Sequence, residues 1–331
     1  MTQRKPPVFI IGCPRSGTTL LYHILLSSGG FAVYRSETNA FDLIALRYGD
    51  LRPERDRREF LDKWLRSYMF TRTGLDREYI SKRILQDCRS AADFLRIVME
   101  DISDAQNVDR WAECTPTHAL HLGRIREAFP DAQIIHMIRD GRDAALSLSK
   151  LGWIRPFPWD RERELVTAGL YWKWMVETGR RDARRHSLPY LEVRFEDLVG
   201  SPHETTERIG RFIGHPIDYD QVLKAGIGSV SEPNTSFAGE KKADFNPIGR
   251  WHASIGAEAL AELEAAIGDL LADLGYDLAS DGSRARTVPI RRMRALYSPY
   301  FGFKEWVKAN TPLSRRMVST AILEQDLPAA V

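Results

Sequence analysis

The first thirty residues combine an apolar run with a helical repeat of apolar positions. Residues 7–11 form a short apolar run that ends at Gly12, which predicts a buried strand of a parallel sheet. From Ser16, leucine and isoleucine recur at helical spacing until a glycine pair ends the pattern. The pattern therefore predicts a strand, a loop and a helix in succession, with a second strand over residues 31–34.

Strands and helices continue to alternate further along the chain. They are predicted over residues 131–138 (strand), 143–151 (helix), 188–195 (strand), 202–213 (helix) and 257–274 (helix). This alternation predicts an α/β fold with a mostly parallel sheet flanked by helices. We predict a main domain over residues 1–280, with a helical insertion at about residues 50–105, and a C-terminal extension over residues 281–331.

Composition shows where the charge lies. The 331 residues are 43% hydrophobic and 28% charged, with a mean hydropathy of −0.34, which is typical of a globular protein. The net charge is only +2, but residues 283–316 carry nine Lys or Arg against one acid, Glu305. This basic, aromatic segment suits contact with an anionic membrane surface, with a partner subunit in a homo-oligomer, or with the core of its own chain. No nucleic-acid-binding module is recognisable, so nucleic acid is not a predicted partner.

Two features bear on the compartment. The three cysteines are far apart and form no CxxC or Cys/His cluster, so neither disulfides nor a zinc site is expected. Only five apolar residues precede Pro14 after the polar start, and no eighteen-residue apolar stretch occurs. We therefore expect a cytoplasmic protein.

Residues 12–19, GCPRSGTT, follow the first predicted strand and open a helix. Backbone N–H groups and the helix N-terminus at such a junction favour an anion, above all phosphate. The glycine spacing is that of the Walker loop GxxxxGK[ST], but Thr18 stands where the lysine that reaches the terminal phosphates of ATP would be. An ATP-dependent P-loop kinase or NTPase is therefore the alternative rather than the main hypothesis. The predicted phosphate-binding residues are Arg15, Ser16, Gly17, Thr18 and Thr19.

Residues 14–21, PRSGTTLL, resemble the 5′-phosphosulfate loop of the sulfotransferases that use 3′-phosphoadenosine 5′-phosphosulfate (PAPS). The motif is closest in style to the tyrosylprotein and carbohydrate types and their bacterial relatives. The resemblance implies a P-loop-type fold and in-line transfer of a sulfuryl group from PAPS to a hydroxyl or amine acceptor, with release of adenosine 3′,5′-bisphosphate (PAP). It implies no metal ion. A small-molecule, glycan or lipid acceptor is expected, and its reacting group stays open between a sugar, a lipid, a phenol, a peptidyl tyrosine and an amine. A catalytically inactive nucleotide-binding scaffold is a further alternative.

The resemblance also implies a site for the 3′-phosphate at a strand-to-helix junction. Arg139 and Ser147 in IRDGRDAALS match the family's Arg and Ser about eight residues apart. A guanidinium fork suits phosphate oxygens. The same sequence is also compatible with a surface turn that contains internal ion pairs.

Further residues come from later segments that resemble the family. Gly249, Arg250 and Trp251 in FNPIGRW match a late loop that closes over the nucleotide, with Ser236 as an additional candidate upstream. Trp251 is equally suited to core packing. In VRFEDL, Phe195 stands where the family commonly has tyrosine.

Catalysis requires positive charge at the leaving oxygen and a base for the acceptor proton. Arg15 is the candidate for the first role, and Glu37 is the candidate base because a Glu-Thr pair at a similar distance from the loop is found in the tyrosylprotein type. Cys114 departs from the family, since a lysine often occupies its position. His118 and His121 are candidates either for lining the acceptor pocket or for a structural role.

Overall fold

Four parallel strands form the central sheet of the described part of the chain, in the order β2-β1-β3-β4. The computed structural model describes residues 4–49, 51–227, 246–280, 288–311 and 313–324. The strands are β1 (Val8–Gly12), β2 (Ala112–Glu113), β3 (Gln133–Ile138) and β4 (Tyr190–Arg194). The predicted fold class, a mostly parallel sheet flanked by helices, is confirmed.

Helices make up most of the remaining described structure. They are α1 (Thr18–Ser27), α2 (Ala45–Tyr48), α3 (Glu54–Trp64), α4 (Tyr68–Thr71), α5 (Arg77–Asp87), α6 (Ala91–Ala105), α7 (Leu122–Ala128), α8 (Gly141–Lys150), α9 (Glu164–Arg185), α10 (Phe195–Gly200), α11 (Pro202–Ile213), α12 (Tyr219–Ala225), α13 (Trp251–Ser254), α14 (Ala257–Asp273), α15 (Val288–Asn310), α16 (Ser314–Met317) and α17 (Ala321–Glu324). A π-helical turn over Ala40–Ile44 precedes α2, and a 3₁₀ helix over Pro116–Leu120 precedes α7.

The sheet brings the chemistry-bearing segments to one edge. In the parallel register, Gly12 of β1 lies opposite Met137 of β3, and Ile138 of β3 lies opposite Arg194 of β4. The carboxyl ends of these three strands therefore meet at the edge where the 12–19 loop and Arg139 begin, the edge at which open parallel sheets bind ligands. All five residues of β1 are buried, as expected of a strand covered by helices on both faces.

The prediction of a second strand over residues 31–34 is wrong. Within this stretch only Phe31 forms a bridge, to Arg110. The side-chain amide of Gln106 accepts from the Val33 N–H at 2.7 Å and donates to the Val33 carbonyl at 3.1 Å. The Ala32 N–H donates to the carbonyl oxygen of Arg110 at 2.8 Å, so pairing with backbone ends at this bridge and a side chain satisfies the backbone groups of Val33. The two-residue strand β2 was not predicted, because two residues show no periodicity.

The charged segment predicted as a helical insertion contains the helices α3 to α6. Ser67, Asp76 and Ser90 cap the last three of them by accepting a backbone N–H of the first turn, which explains where these helices begin. The boundaries of the insertion and of the domain stay predictions.

The described part of the C-terminal extension packs back onto the core. Helix α15 lies against α9 and α14 and buries one face, made of Ile290, Met293, Tyr297 and Phe301. No helix in the described ranges combines the length and the apolar composition that crossing a bilayer requires. All three cysteines are buried free thiols.

Candidate active site

The loop between β1 and α1 adopts a backbone conformation that few residue types tolerate. Arg15 and Gly17 have φ values of 73° and 87°. A Cβ atom on Gly17 would lie 2.2 Å from the ring of Phe195, and one on Gly12 would lie 2.5 Å from the carbonyl oxygen of Met137. Both positions therefore require glycine, and the loop lies directly against the strand ends.

The hydroxyl groups of this loop surround the start of α1. Ser16 is fully buried, and its Oγ has no hydrogen-bond partner among the described residues. Thr18 is buried, Thr19 is exposed, and no acidic side chain lies in the first helical turn. A buried, unpaired hydroxyl beside a helix N-terminus fits an anionic group such as a phosphate.

The two predicted phosphate sites adjoin each other. Arg15 Nε donates to Ser147 Oγ over 3.1 Å, and Arg139 Nη1 donates to the carbonyl oxygen of Arg15 over 3.1 Å. Burial and the neighbouring Arg139 guanidinium lower the pKa of Arg15. The Nε of Arg139 is buried without a hydrogen-bond partner in the described ranges. An anion at this junction would relieve the repulsion between the two cations and pair the remaining donor.

Asp143 connects the late loop to this pair of arginines. Its carboxylate accepts the backbone N–H groups of Gly249 at 2.8 Å and Trp251 at 3.0 Å. Burial and the charge of Arg139 lower the pKa of Arg250, which indicates that Arg250 lies within electrostatic range of Arg139. Asp143 was not predicted as a site residue. Its place in the first turn of a helix was the available signal, but an acid there is also ordinary helix chemistry.

Trp251 is buried in contact with charged side chains. The guanidinium of Arg142 lies 3.8 Å from its ring centroid, and Arg142 is itself ion-paired with Asp140 and Glu264 at 2.7 Å each. Trp251 therefore anchors the late loop to α8 and α14, and its contact with a nucleotide stays a prediction. Ser236 lies outside the described residues.

Glu37 lies in the turn that follows the bridge at Phe31. Burial raises its pKa to about 8, assisted by the negative charges of Asp42 and Glu113 and opposed by His118. A carboxyl group with this proton affinity can accept a proton near neutral pH.

The neighbouring Glu113 has the opposite character. It is fully buried and accepts hydrogen bonds from the Thr38 N–H at 3.3 Å, from Thr38 Oγ1 at 2.7 Å and from the Thr115 N–H at 3.1 Å. Burial would raise the pKa of Glu113, but His118 and these hydrogen bonds lower it overall. Glu113 therefore stays ionised and fastens the turn that carries Glu37 to the end of β2.

His118 completes this cluster. The imidazole is fully buried, with Nδ1 2.8 Å from Glu113 Oε2, while Nε2 accepts the backbone N–H of Phe41 at 3.3 Å. Both ring nitrogens are thereby used by the protein, so His118 supports the site rather than lining a pocket. The Glu113–His118 pair was missed as a unit, because a separation of five residues matches no local motif.

Cys114 lies between the predicted base and the phosphate loop. Burial raises the pKa of its thiol well above the usual range, and the charges of Glu37 and Glu113 raise it further, against a hydrogen bond with the Thr18 side chain. The thiol is therefore neutral, and it supplies no positive charge at the position where the family often has lysine. Arg15 and Arg139 are the cations that the described structure brings to the loop.

A cavity of about 210 Å³ lies beside this cluster. It is lined by Asp42, Thr117, Leu120, His121, Tyr171, Glu305, Lys308, Met317, Val318 and Ser319. Asp42 Oδ1 is 3.9 Å from His118 Nε2, which locates the cavity next to the Glu113–His118 pair. Of the two histidines proposed from the sequence, His121 is the one that borders a cavity.

These residues fit a nucleotide that carries two phosphate groups. The unpaired Ser16 hydroxyl, the helix N-terminus and the guanidinium groups of Arg15 and Arg139, which lie within electrostatic range of each other, are suitable donors for it. Within the described ranges, no group of three or more His, Cys, Asp or Glu side chains could hold a metal ion.

Comparison with known proteins gives a family match and related sequences. The model described as the Sulfotransferase family matches residues 6–219. Protein-tyrosine sulfotransferase 1 of Danio rerio is 26% identical over 288 residues, which cover 82% of this chain and 72% of that protein. Protein-tyrosine sulfotransferase A of Caenorhabditis elegans is 25% identical over 285 residues, covering 82% of this chain and 68% of that protein.

Solved structures share the fold. The sulfotransferase domain of the Synechococcus PCC 7002 olefin synthase superposes with a TM-score of 0.55 at 20% identity, covering 84% of this chain and 98% of that domain. The sulfotransferase domain of the curacin biosynthetic pathway gives a TM-score of 0.52 at 16% identity, covering 83% of this chain and 99% of that domain. These likenesses support the P-loop-type architecture.

Proposed function

The chain belongs to the sulfotransferase family, and on that premise we propose that Arg15, Arg139 and Glu37 carry the sulfuryl transfer. The family match confirms the predicted enzyme, with PAPS as its co-substrate, and does not favour the kinase or NTPase alternative. The observation that supports these residue roles is the contact of Arg15 with both Ser147 and Arg139, because it joins donors for two phosphate groups.

The proposed nucleotide site has three parts. The loop from Arg15 to Thr19 holds the 5′-phosphosulfate, using the α1 N-terminus and the Ser16 hydroxyl. Arg139 and Ser147 hold the 3′-phosphate. The late loop, with Gly249, Arg250 and Trp251, covers the nucleotide and is kept in register by Asp143.

The proposed chemistry needs a proton acceptor and a cation. PAPS supplies a sulfuryl group whose bond to the 5′-phosphate oxygen breaks as the acceptor oxygen or nitrogen bonds to sulfur. Glu37 takes the proton that the acceptor loses, for which its raised pKa suits it. Arg15 and the α1 N-terminus stabilise the negative charge that develops on the leaving phosphate.

The acceptor is proposed only as a class. The zebrafish and nematode relatives are named protein-tyrosine sulfotransferases, which supports an acceptor hydroxyl. A small-molecule, glycan or lipid acceptor remains our proposal for this chain. The exposed aromatic and basic face of the C-terminal extension suits peripheral membrane contact, while a homo-oligomer and a cytoplasmic location stay predictions for sedimentation and cell fractionation to test.

Calorimetric titration with PAP tests the nucleotide site. We expect the Arg139→Ala variant to bind PAP roughly tenfold to a hundredfold more weakly than the wild type, because one charge-assisted contact to phosphate is lost. ATP with magnesium should bind more weakly than PAP, because no lysine follows Gly17.

Arg211→Ala is the matched control, since Arg211 is exposed on α11. It should bind PAP as the wild type does, and thermal unfolding should show that both variants are folded. Equal PAP affinity in the wild type and Arg139→Ala, or a preference for ATP, would contradict the proposed site.

A further inference from the structure

The cavity beside the Glu113–His118 pair is built by two distant parts of the chain. Asp42 comes from the π-helical turn, and its negative charge acts on Glu37. Thr117 and His121 come from the 3₁₀ helix and the residue that follows it. Glu305, Lys308 and Met317 come from the C-terminal extension, which lies beyond the residues matched by the family model. The extension therefore forms one wall of a cavity next to the proposed base.

Three buried polar atoms at the cavity lack a hydrogen-bond partner among the described residues. Asp42 Oδ1, Glu305 Oε2 and His121 Nε2 are all buried without a hydrogen bond to any described residue. The other carboxylate oxygens are used, since Asp42 Oδ2 accepts from Thr117 Oγ1 at 2.5 Å and Glu305 Oε1 accepts from Lys308 Nζ at 2.9 Å. Unpaired buried polar atoms are costly, so two carboxylate oxygens and one imidazole nitrogen around one cavity indicate a ligand or solvent that can donate hydrogen bonds to the carboxylates.

Charge narrows the class of ligand. The lining contains two carboxylates, Asp42 and Glu305, and one ammonium group, Lys308. Burial lowers the pKa of His121 well below the usual range, with the charges of Arg124 and Lys308 acting in the same direction, so its imidazole is neutral. The lining is therefore net negative, which disfavours an anionic ligand.

The volume of the cavity narrows the class of ligand further. About 210 Å³ is smaller than the pockets of roughly 300–1,000 Å³ that hold drug-sized ligands. The cavity thus suits one ring or head group rather than a stretch of peptide. Met317 both lines the cavity and is 43% exposed, so it stands at an opening to the surface.

We propose that this cavity receives the acceptor, and that the acceptor presents a neutral, polyhydroxylated ring whose hydroxyl groups donate to Asp42 and Glu305 and form a hydrogen bond with His121. The identification of the ligand as the acceptor rests on the proposed sulfuryl transfer. Binding of the ring to the cavity does not depend on the phosphate loop. The C-terminal extension then selects the acceptor, while the 12–19 loop binds the nucleotide.

Ligand-observed NMR titration with methyl β-glucopyranoside tests the proposal on the full chain, with and without PAP. Two ring-sized probes serve as comparisons: the corresponding methyl glucuronide, which adds a carboxylate, and cyclohexanol, which lacks all but one hydroxyl. We expect saturable binding of the glucoside and at least tenfold weaker binding of both comparison probes. Octyl β-glucoside tests whether the acceptor ring is carried by a lipid. It should bind more tightly than the methyl glucoside if the acceptor is lipid-borne, and no more tightly if the acceptor is a free sugar.

Glu305→Gln and Asp42→Asn each remove a charge and replace an acceptor oxygen by an amide donor. Each should weaken glucoside binding about tenfold or more and leave PAP affinity unchanged. Glu59→Gln, at an exposed position on α3, should change neither. The proposal is overturned if the glucoside shows no saturable binding up to about 100 mM, if neither variant weakens it, or if the glucuronide binds more tightly. Failure of PAP to bind the wild type would instead overturn the proposed function, so the two results are separable.

Discussion

At Glu37, burial and neighbouring charges set the proton affinity of one carboxyl group. Asp42 and Glu113 raise its pKa and His118 lowers it, in addition to the effect of burial, and the result is a pKa of about 8. Glu113 lies at the end of β2, and His118 and the threonine donors keep its carboxylate ionised. Two adjacent glutamates with opposite proton affinities define a base and a fixed support for it.

The Glu37→Gln variant tests the base. Its turnover, measured with labelled PAPS and an acceptor, should fall roughly a hundredfold or more, while PAP affinity stays nearly unchanged. In the wild type, kcat/KM should rise with pH and level off above about pH 8, because the base acts only when deprotonated. This rise should be absent in Glu37→Gln.

Stability separates this outcome from misfolding. A carboxyl whose folded-state pKa is raised stabilises the fold at low pH and loses that contribution as the pH rises through the folded-state pKa. Replacing Glu37 by glutamine should therefore not lower the free energy of unfolding near pH 8. Glu207→Gln, at an exposed position on α11, is the matched control. Unchanged turnover in Glu37→Gln would exclude Glu37 as the base.

The sequence was informative where a residue's role follows from its local pattern. Arg15 and Gly17 lie at the junction of β1 and α1, and Arg139 lies at the junction of β3 and α8. The structure brings Arg15 together with Arg139 and Ser147. The roles of Asp143 and Glu113, and the position of Glu305 in the cavity wall, depend on contacts between segments far apart in sequence. No single-sequence pattern reports such contacts.

Among the elements, the β1–α1 junction is the most tightly constrained. Gly17 needs both its left-handed backbone and the space that the Phe195 ring leaves, whereas Gly29, after α1, has a similar φ of 79° with no atom within 4 Å of a built Cβ. The VRFEDL segment therefore supports the loop through the Phe195 ring, a role that needs no hydroxyl group at that position.

This pair of glycines allows a matched test. Gly17→Ala should lower the free energy of unfolding by about 2–4 kcal/mol, combining left-handed strain with overpacking against Phe195, and should abolish measurable PAP binding. Gly29→Ala should cost only about 1–2 kcal/mol and leave PAP binding intact. Denaturant unfolding and calorimetry measure both effects. Equal costs at the two positions would show that contact with Phe195 does not constrain the loop.

Element types were easier to predict than element partners. The apolar run of β1 and the helical repeats of α11 and α14 were identified nearly to their ends, because their periodicity is strong. Residues 31–34 have the composition of a strand, but the Gln106 side chain occupies the backbone N–H and C=O of Val33, so the pairing ends after the bridge at Phe31. Strand pairing is a tertiary property, and composition alone cannot establish it.

At the scale of the whole molecule, the C-terminal extension has two distinct faces. One face buries Tyr297 and Phe301 against the core, and Glu305 and Lys308 line the cavity. The other exposes Phe303 and Trp306, which are 64% and 57% exposed with their rings stacked 6.3 Å apart. Exposed Arg315 and Arg316 follow in α16. Exposed aromatic rings followed along the chain by exposed arginines are the composition of a segment that binds anionic membranes.

Vesicle sedimentation tests membrane contact. The wild type should bind vesicles that contain phosphatidylserine and should dissociate progressively with added salt, because exposed charge interactions are screened. The double variant Phe303→Ser/Trp306→Ser should bind at least about tenfold more weakly, because each exposed ring contributes apolar area on insertion. Leu223→Ser, which changes an exposed apolar residue on α12, should bind as the wild type does. This face is excluded as a membrane contact if the wild type does not bind the vesicles, or if its binding requires neither the anionic lipid nor the two aromatic residues. The proposed function of the extension would then be limited to the wall of the acceptor cavity.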